Sequence, residues 1–216
     1  MNAQIKFKKK QSKREIILDT ATQLFIQESY IGVGIDRIIA ESDIAKATFY
    51  KYFPSKEELV FACLKELKLD IQIDVEERIS EQSAPLEKLK QLYLWYIDWI
   101  NQNGARGCPF HKARMDVGDL YPSILVVLDE YRNWLFDTIT SILKELKLND
   151  PIALAHLFNS LLDGIINSSV CEKGQIKPQK TWDFIQTLIE LEKNRLTLSI
   201  LLLNELKLSR YSCNHN

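Results

Sequence analysis

Residues 35–59 read IDRIIAESDIAKATFYKYFPSKEEL. Ile35, Ile38 and Ile39 fall on one face of a short helix. Ser42-Asp43-Ile44 reads as a tight turn, and a second short helix runs from about Ala45 to Tyr52. Pro54 disfavours helical backbone at Phe53 and so stops that helix. Ser55-Lys56-Glu57-Glu58 then fits a capping box, in which Ser and Glu satisfy free N–H groups at the start of a longer helix. The second short helix is too small to be stable alone. It is expected to be held through Ile44, Phe49 and Phe53, which leaves Lys46, Ala47, Thr48, Tyr50 and Lys51 on its other face. Small side chains let a helix approach base edges, and a Thr methyl can touch a thymine methyl. Lys and Tyr can bond phosphates, so this face suits the major groove of a duplex.

Upstream of this stretch lies a Lys-rich arm over residues 1–11, with Lys6, Lys8, Lys9 and Lys10. Ser12-Lys13-Arg14-Glu15 fits another capping box, and Ile17, Ala21, Leu24 and Phe25 recur at helical spacing until Gly32-Val33-Gly34. Downstream, Val60, Leu64, Leu67, Ile71 and Val75 form one stripe, and Pro85 breaks the pattern. Leu89, Leu92, Tyr96, Ile97 and Ile100 mark the next helix, closed by Asn103-Gly104. Pro109 opens a short helix, and a loop follows around Gly118 to Pro122. A long helix carries Ile124 through Leu146. Asp150-Pro151 caps another that reaches about Cys171. Gly174 and Pro178 punctuate the last connection, before a helical stretch over roughly Thr181 to Leu208. The expected fold is all-α, with about nine helices, no convincing strand and no internal repeat.

Composition agrees. Of 216 residues, 46% are apolar and 26% charged, enough apolar surface for a buried core. Only 7 Gly and 6 Pro are present, too few for the many turns of an all-β chain. The formal net charge of -1 suggests no polyanion partner by itself. Residues 1–56, however, hold ten Lys/Arg against six Asp/Glu, and the remainder carries the compensating acid. A basic module on an acidic body is the asymmetry expected when one part meets phosphate. Cys63, Cys108, Cys171 and Cys213 are far apart and read as reduced thiols of a cytosolic protein. The chain carries no signal-peptide-like stretch, and its longest apolar runs, such as Ile200 to Leu203, fall far short of a membrane span.

At residues 12–62 the chain resembles the TetR family of bacterial regulators. The resemblance is carried by Ile38, Ile39, Ala40, Ile44, Thr48, Tyr50, Phe53, Ser55, Lys56 and Leu59. Arg106-Gly107-Cys108-Pro109-Phe110 is similar to a Gly-Cys motif at a helix start in many members. Two positions depart from the pattern. Asp43 stands where Gly is usual at the turn, and Tyr52 where His is usual. Asp tolerates left-handed backbone better than most residues, so the turn is expected to survive, while its charge works against DNA affinity.

The resemblance implies an N-terminal three-helix helix-turn-helix DNA-binding domain with its basic arm over 1–56. A helical effector-binding and dimerisation domain would follow over 57–216. It implies that Lys46, Ala47 and Thr48 approach bases, that Tyr50, Lys51 and Tyr52 contact phosphates, that Lys56 sits at a helix N-terminus favourable to phosphate, and that Arg37 lies near the groove edge. The basic arm would reach backbone or minor groove. Trp95, Tyr96, Trp99, Phe110, Trp134 and Phe158 lie on helices expected to pack together and are the candidate lining of an apolar effector cavity; plain core packing is the better reading of any one of them, and the expectation is only that a cavity exists somewhere among them. Homodimers would form through helices at about 151–171 and 181–200, where Ala153, Ala155, Ser160 and Gly164 permit close approach.

The function implied is a cytoplasmic transcriptional regulator, a repressor of a palindromic operator released by a small-molecule ligand. Its partners would be double-stranded DNA, that effector and a second copy of itself, with no membrane. No catalytic role, cofactor or metal site is expected. Cys108-Pro109-Phe110-His111 lacks a second close Cys/His pair for zinc, and His111, His156 and His215 support no triad. Asp116 and Asp119 read as loop residues capping the next helix. The alternative is a helical small-molecule-binding or enzymatic domain whose N-terminal module no longer reads DNA, and Asp43 is the one feature pointing that way.

Overall fold

Ser12 caps the first described helix, as the spacing predicts. In the computed structural model, which describes residues 11–102, 106–171 and 177–194, its hydroxyl accepts the Glu15 N–H at 3.2 Å and Glu15 Oε2 accepts the Ser12 N–H at 2.7 Å. With its first turn satisfied from both sides, α1 (Lys13–Gln27) runs on and buries Ile17, Leu18, Ala21, Leu24 and Phe25. It ends before the Gly32-Val33-Gly34 run expected to close it, because the Ser29 hydroxyl accepts the N–H groups of Ile31 and Gly32 and turns the chain. Gly34 then leads in extended backbone into α2 (Ile35–Ser42).

Asp43 sits at φ 53, ψ 37, the left-handed conformation the tight turn requires. It therefore does the conformational work of the usual Gly. Helix α3 (Lys46–Tyr52) follows and stops at Phe53, whose extended φ of -134 is what a residue before Pro adopts. Helix α4 (Lys56–Ser80) opens on Ser55, whose hydroxyl accepts the Glu58 N–H at 3.1 Å.

The remaining helices are α5 (Pro85–Gln102), α6 (Pro109–Val117), α7 (Ile124–Glu145), α8 (Pro151–Cys171) and α9 (178–194). Nine helices thus account for the regular structure among the described residues, and no strand occurs among them. Proline opens four of these. Pro85, Pro109, Pro151 and Pro178 each stand in a first turn, where the missing N–H has no partner to lose. Pro178 was expected to punctuate the connection, yet Thr181 N–H bonds Lys177 O at 3.1 Å and the helix already includes it. Gly107 at φ 81 turns the chain into α6, with Cys108 as N-cap. The end of α7 was less legible. Lys147 adopts φ 55 without being Gly or Asn, and the helix stops at Glu145 rather than Leu146. None of these helices is long and apolar enough to cross a membrane.

The chain divides into two compact units. The first takes the residues up to Ile73 with Arg106–Tyr131. Its core includes Ile17, Phe25, Tyr30, Ile38, Phe49, Leu59, Cys63 and Leu64. Phe25 stacks on Tyr30 at 5.0 Å, and the Arg14 guanidinium lies over the Phe53 ring at 5.7 Å. Burial pushes the Cys63 thiol up to about 12 and raises the Tyr30 hydroxyl as well. Cys63 and Cys108 are free thiols, and the side chains of Cys171 and Cys213 lie outside the described residues.

The second unit comprises the segments that begin at Asp74 and at Arg132. It buries Leu89, Leu92, Tyr93 and Tyr96 of α5, Ile139 and Leu143 of α7, Phe158 and Leu162 of α8, and Trp182, Ile185 and Ile189 of α9. Tyr93 packs on Trp182 at 5.8 Å and donates its hydroxyl hydrogen bond to Pro178 O at 3.1 Å. The Lys-rich arm, Asn103-Gly104, Gly174 and the expected continuation of the last helix to Leu208 lie outside the described residues.

Candidate nucleic-acid interface

Helix α3 is only seven residues long, so its neighbours must hold it. Phe49 is fully buried, edge-on to Tyr50 and 6.2 Å from Phe53, while Ile44 and Phe53 bury the two ends. A buried Phe contributes about 1.5–3 kcal/mol by removal from water. With that face anchored, helical geometry decides the rest. Lys46, Ala47, Tyr50, Lys51 and Tyr52 are exposed and Thr48 half-exposed, with Tyr50 at 40% and Tyr52 at 39%. The residues singled out from the sequence therefore share one solvent-facing surface. It presents two ammonium groups, two phenols and two small side chains.

The electrostatics of this surface are less simple than its composition. Lys46 Nζ donates to Asp36 Oδ1 at 2.8 Å, and this carboxylate raises the affinity of Lys46 for its proton. Arg37 does not point freely toward a groove edge. Its NH1 bonds Glu28 Oε2 at 2.6 Å and its Nε bonds Glu41 Oε1 at 2.7 Å, so it ties the end of α1 to α2. Lys56 stands at the first position of α4, as expected, but its ammonium donates to Ile31 O at 3.0 Å. Partial burial lowers the Lys56 pKa. Lys51 makes no ion pair among the described residues.

Two further residues of this unit gave no functional signal in the sequence. Lys112 Nζ donates to the carbonyls of Ile26 and Glu28 at the end of α1, which helps satisfy its free C-terminal acceptors. Asp116 Oδ2 accepts the Tyr30 N–H at 2.9 Å. Asp116 is thus a residue of α6, not the loop cap expected. Their four-residue spacing puts both on one helix face, the one local clue available.

The candidate cavity residues do not form a single group. Trp95, Tyr96, Trp99, Trp134 and Phe158 belong to the second unit and Phe110 to the first, where it stacks on Tyr131 at 3.9 Å. On α5, Trp95 lies over Trp99 at 5.9 Å with Tyr96 edge-on to both. Trp134 Nε1 donates to Glu76 Oε1 at 3.3 Å. Phe158 lines an apolar cavity of about 20 Å³ with Leu89, Leu143, Leu154, Ile185 and Ile189. That is room for about one water, against the several hundred Å³ of a typical ligand pocket.

Residues 17–63 match the sequence pattern of the bacterial regulatory proteins, tetR family. An HTH-type transcriptional regulator from the lacX 3' region of Lactococcus lactis subsp. lactis is 28% identical over 141 residues, 63% of this chain and 67% of the relative. The HTH-type transcriptional repressor DhaR of Mycobacterium sp. (strain GP1) is 26% identical over 107 residues, 50% of this chain and 53% of its own. A TetR-family transcriptional regulator from Streptomyces coelicolor superposes with a TM-score of 0.77 at 25% identity, covering 84% of this chain and 96% of that structure. The matched segment runs from within α1 through α2 and α3 to the start of α4, the helices that build and support the exposed face described above. Residues 17–63 thus carry the DNA-binding helix-turn-helix of the TetR family of transcriptional regulators, and the chain has the fold of a TetR-family regulator.

Proposed function

We propose that the protein is a homodimeric repressor that reads a palindromic operator and is released by a small molecule. The observation that carries the DNA-reading part is the two-sidedness of α3, with Phe49 fully buried and the Lys46, Ala47, Tyr50, Lys51 and Tyr52 side chains outside. Lys46, Ala47 and Thr48 at the helix start approach base edges. Tyr50, Lys51 and Tyr52 bond phosphates and set the register. Lys56 marks a helix N-terminus near the same surface, its ammonium already turned inward. Arg37 serves to hold α1 to α2 and drops out of the contact set. The DNA-binding domain accordingly lies within residues 1–56.

One short helix covers few base pairs, so a second copy is needed to read both halves of a site about one helical turn apart. Support for dimers comes from α8 and α9. Ile152, Leu157, Phe184, Leu188 and Leu191 are exposed apolar side chains, Phe184 at 73%. A cluster of this kind on a globular surface marks an interaction site. Two-fold pairing covers the same face on each copy. A repressor role is in keeping with the name of the Mycobacterium relative.

The effector site belongs to the second unit, among the apolar residues around Phe158 and the α5 aromatics. Its cavity of about 20 Å³ is too small for a ligand, so binding must favour a different, more open conformation. A ligand that prefers that conformation weakens DNA binding by the same coupling, typically about 1–3 kcal/mol. Selection of bound duplexes from a random pool tests the whole proposal. A two-fold symmetric consensus is the expected result, and recovery of no sequence preference at low ionic strength would refute it.

A further inference from the structure

Apart from Lys51, the cations singled out on and beside α2 and α3 are already bonded within the protein. Arg37 is shared by two carboxylates, and Lys56 is bonded to a backbone carbonyl. Lys46 is bonded to Asp36, which sits in the first turn of α2 with its side chain 85% exposed. The carboxylates differ in what they do. Glu28 and Glu41 jointly fasten Arg37 across two helices, so losing either leaves the other in place. Asp36 joins no such network. Among the described residues Lys46 is its one charged partner, 2.8 Å away, and it offers Lys46 the same kind of anionic oxygen that DNA would.

We propose that Asp36 is a built-in competitor for DNA at Lys46, an acid that must be exchanged for a nucleic-acid acceptor before α3 can seat in the groove. The consequence is a brake on all duplex binding, specific and nonspecific alike. The exchange also blunts the response to salt. Raising the ionic strength weakens the internal pair together with the protein–DNA contact, so the two losses partly offset. The inference rests on the placement of Lys46 against DNA proposed above.

The test uses the full-length protein, a duplex recovered by random-pool selection and a scrambled duplex of equal length. Affinity is measured across a salt series for wild type, D36N, K46M and the double variant. D36N is expected to bind both duplexes about two- to fivefold more tightly, the range of an exposed ion pair. Its log–log salt slope should steepen toward that of one further phosphate contact, about 0.9. K46M alone should weaken binding, and D36N should bring no gain in the K46M background. A gain that persists in that background would mean that Asp36 merely repels phosphate, and it would overturn the proposal. So would an unchanged or weaker D36N. If K46M binds like wild type, the placement of Lys46 fails, and this inference with it. If K46M weakens binding but D36N does nothing, only this inference fails.

Discussion

Two outward surfaces of the molecule invite comparison. Both α3 and the α8–α9 pair bury ordinary core residues on one side, Phe49 in the first case and Phe158, Trp182 and Ile185 in the second. Their buried faces say little about function. The exposed faces differ in their large side chains. On α3 the exposed residues are Lys46, Ala47, Tyr50, Lys51 and Tyr52, whereas α8 and α9 expose Ile152, Leu157, Phe184, Leu188 and Leu191 among their polar residues. A hydrated cationic face gains by meeting a polyanion, because condensed counterions are released. An apolar face gains by leaving water against another apolar face. Partner chemistry is therefore written in what the core does not use.

The sharpest way to break the comparison is to remove the anchor that displays α3. Phe49→Ala should destabilise the fold by about 3–5 kcal/mol in denaturant unfolding and abolish duplex binding in a gel-shift assay. Stability that stayed near wild type would show that α3 is not held as described. The second surface is tested by Phe184→Glu, which puts a charge into the apolar face and withdraws about 1.5–3 kcal/mol of burial per copy from the proposed dimer. Sedimentation velocity should show a shift to monomer and operator affinity should fall, while the monomer's own unfolding midpoint stays close to wild type because this side chain is exposed.

Finer changes divide the α3 face itself. Thr48→Ala should relax preference at one base pair by on the order of 1 kcal/mol, with little change on scrambled DNA. Lys51→Ala should weaken every duplex alike and reduce the salt slope by about 0.9. If these two variants exchanged behaviours, the assignment of base and phosphate contacts along the helix would be off by one position.

The smallest effect lies in the core beneath. Burial holds Cys63 as a neutral thiol, with its pKa raised from 9.0 to about 12. A raised pKa means that the folded state keeps a proton which the unfolded chain loses. This contribution to stability is intact below pH 9.0 and fades as pH climbs toward 12. At pH 9.0, where an ordinary thiol is half ionised, peptide mapping after alkylation should find Cys63 unmodified until the protein is unfolded.

Several of these features were legible beforehand. The Ser12 and Ser55 caps, the turn at Asp43, the stop before Pro54 and the inward set Ile44, Phe49 and Phe53 all stand as the sequence predicts. Each depends on contacts within about one helical turn, or on the rotation of 3.6 residues per turn that assigns side chains to faces. Other features escaped. Nothing near Lys147 announces left-handed backbone, and Pro178 could equally end a connection or start a helix.

What tertiary structure alone decided are the partners that arrive from elsewhere in the chain. Asp116 meets the Tyr30 N–H across 86 residues, and Lys112 meets the Glu28 carbonyl across 84. Phe110 joins the unit that contains α3, not the one that contains the other candidate aromatics. Lys46, read from the sequence as a cation offered to DNA, is already bonded to Asp36. Backbone spacing tells which way a side chain faces. Which group it meets there depends on how separate helices pack, and no local rule carries that information.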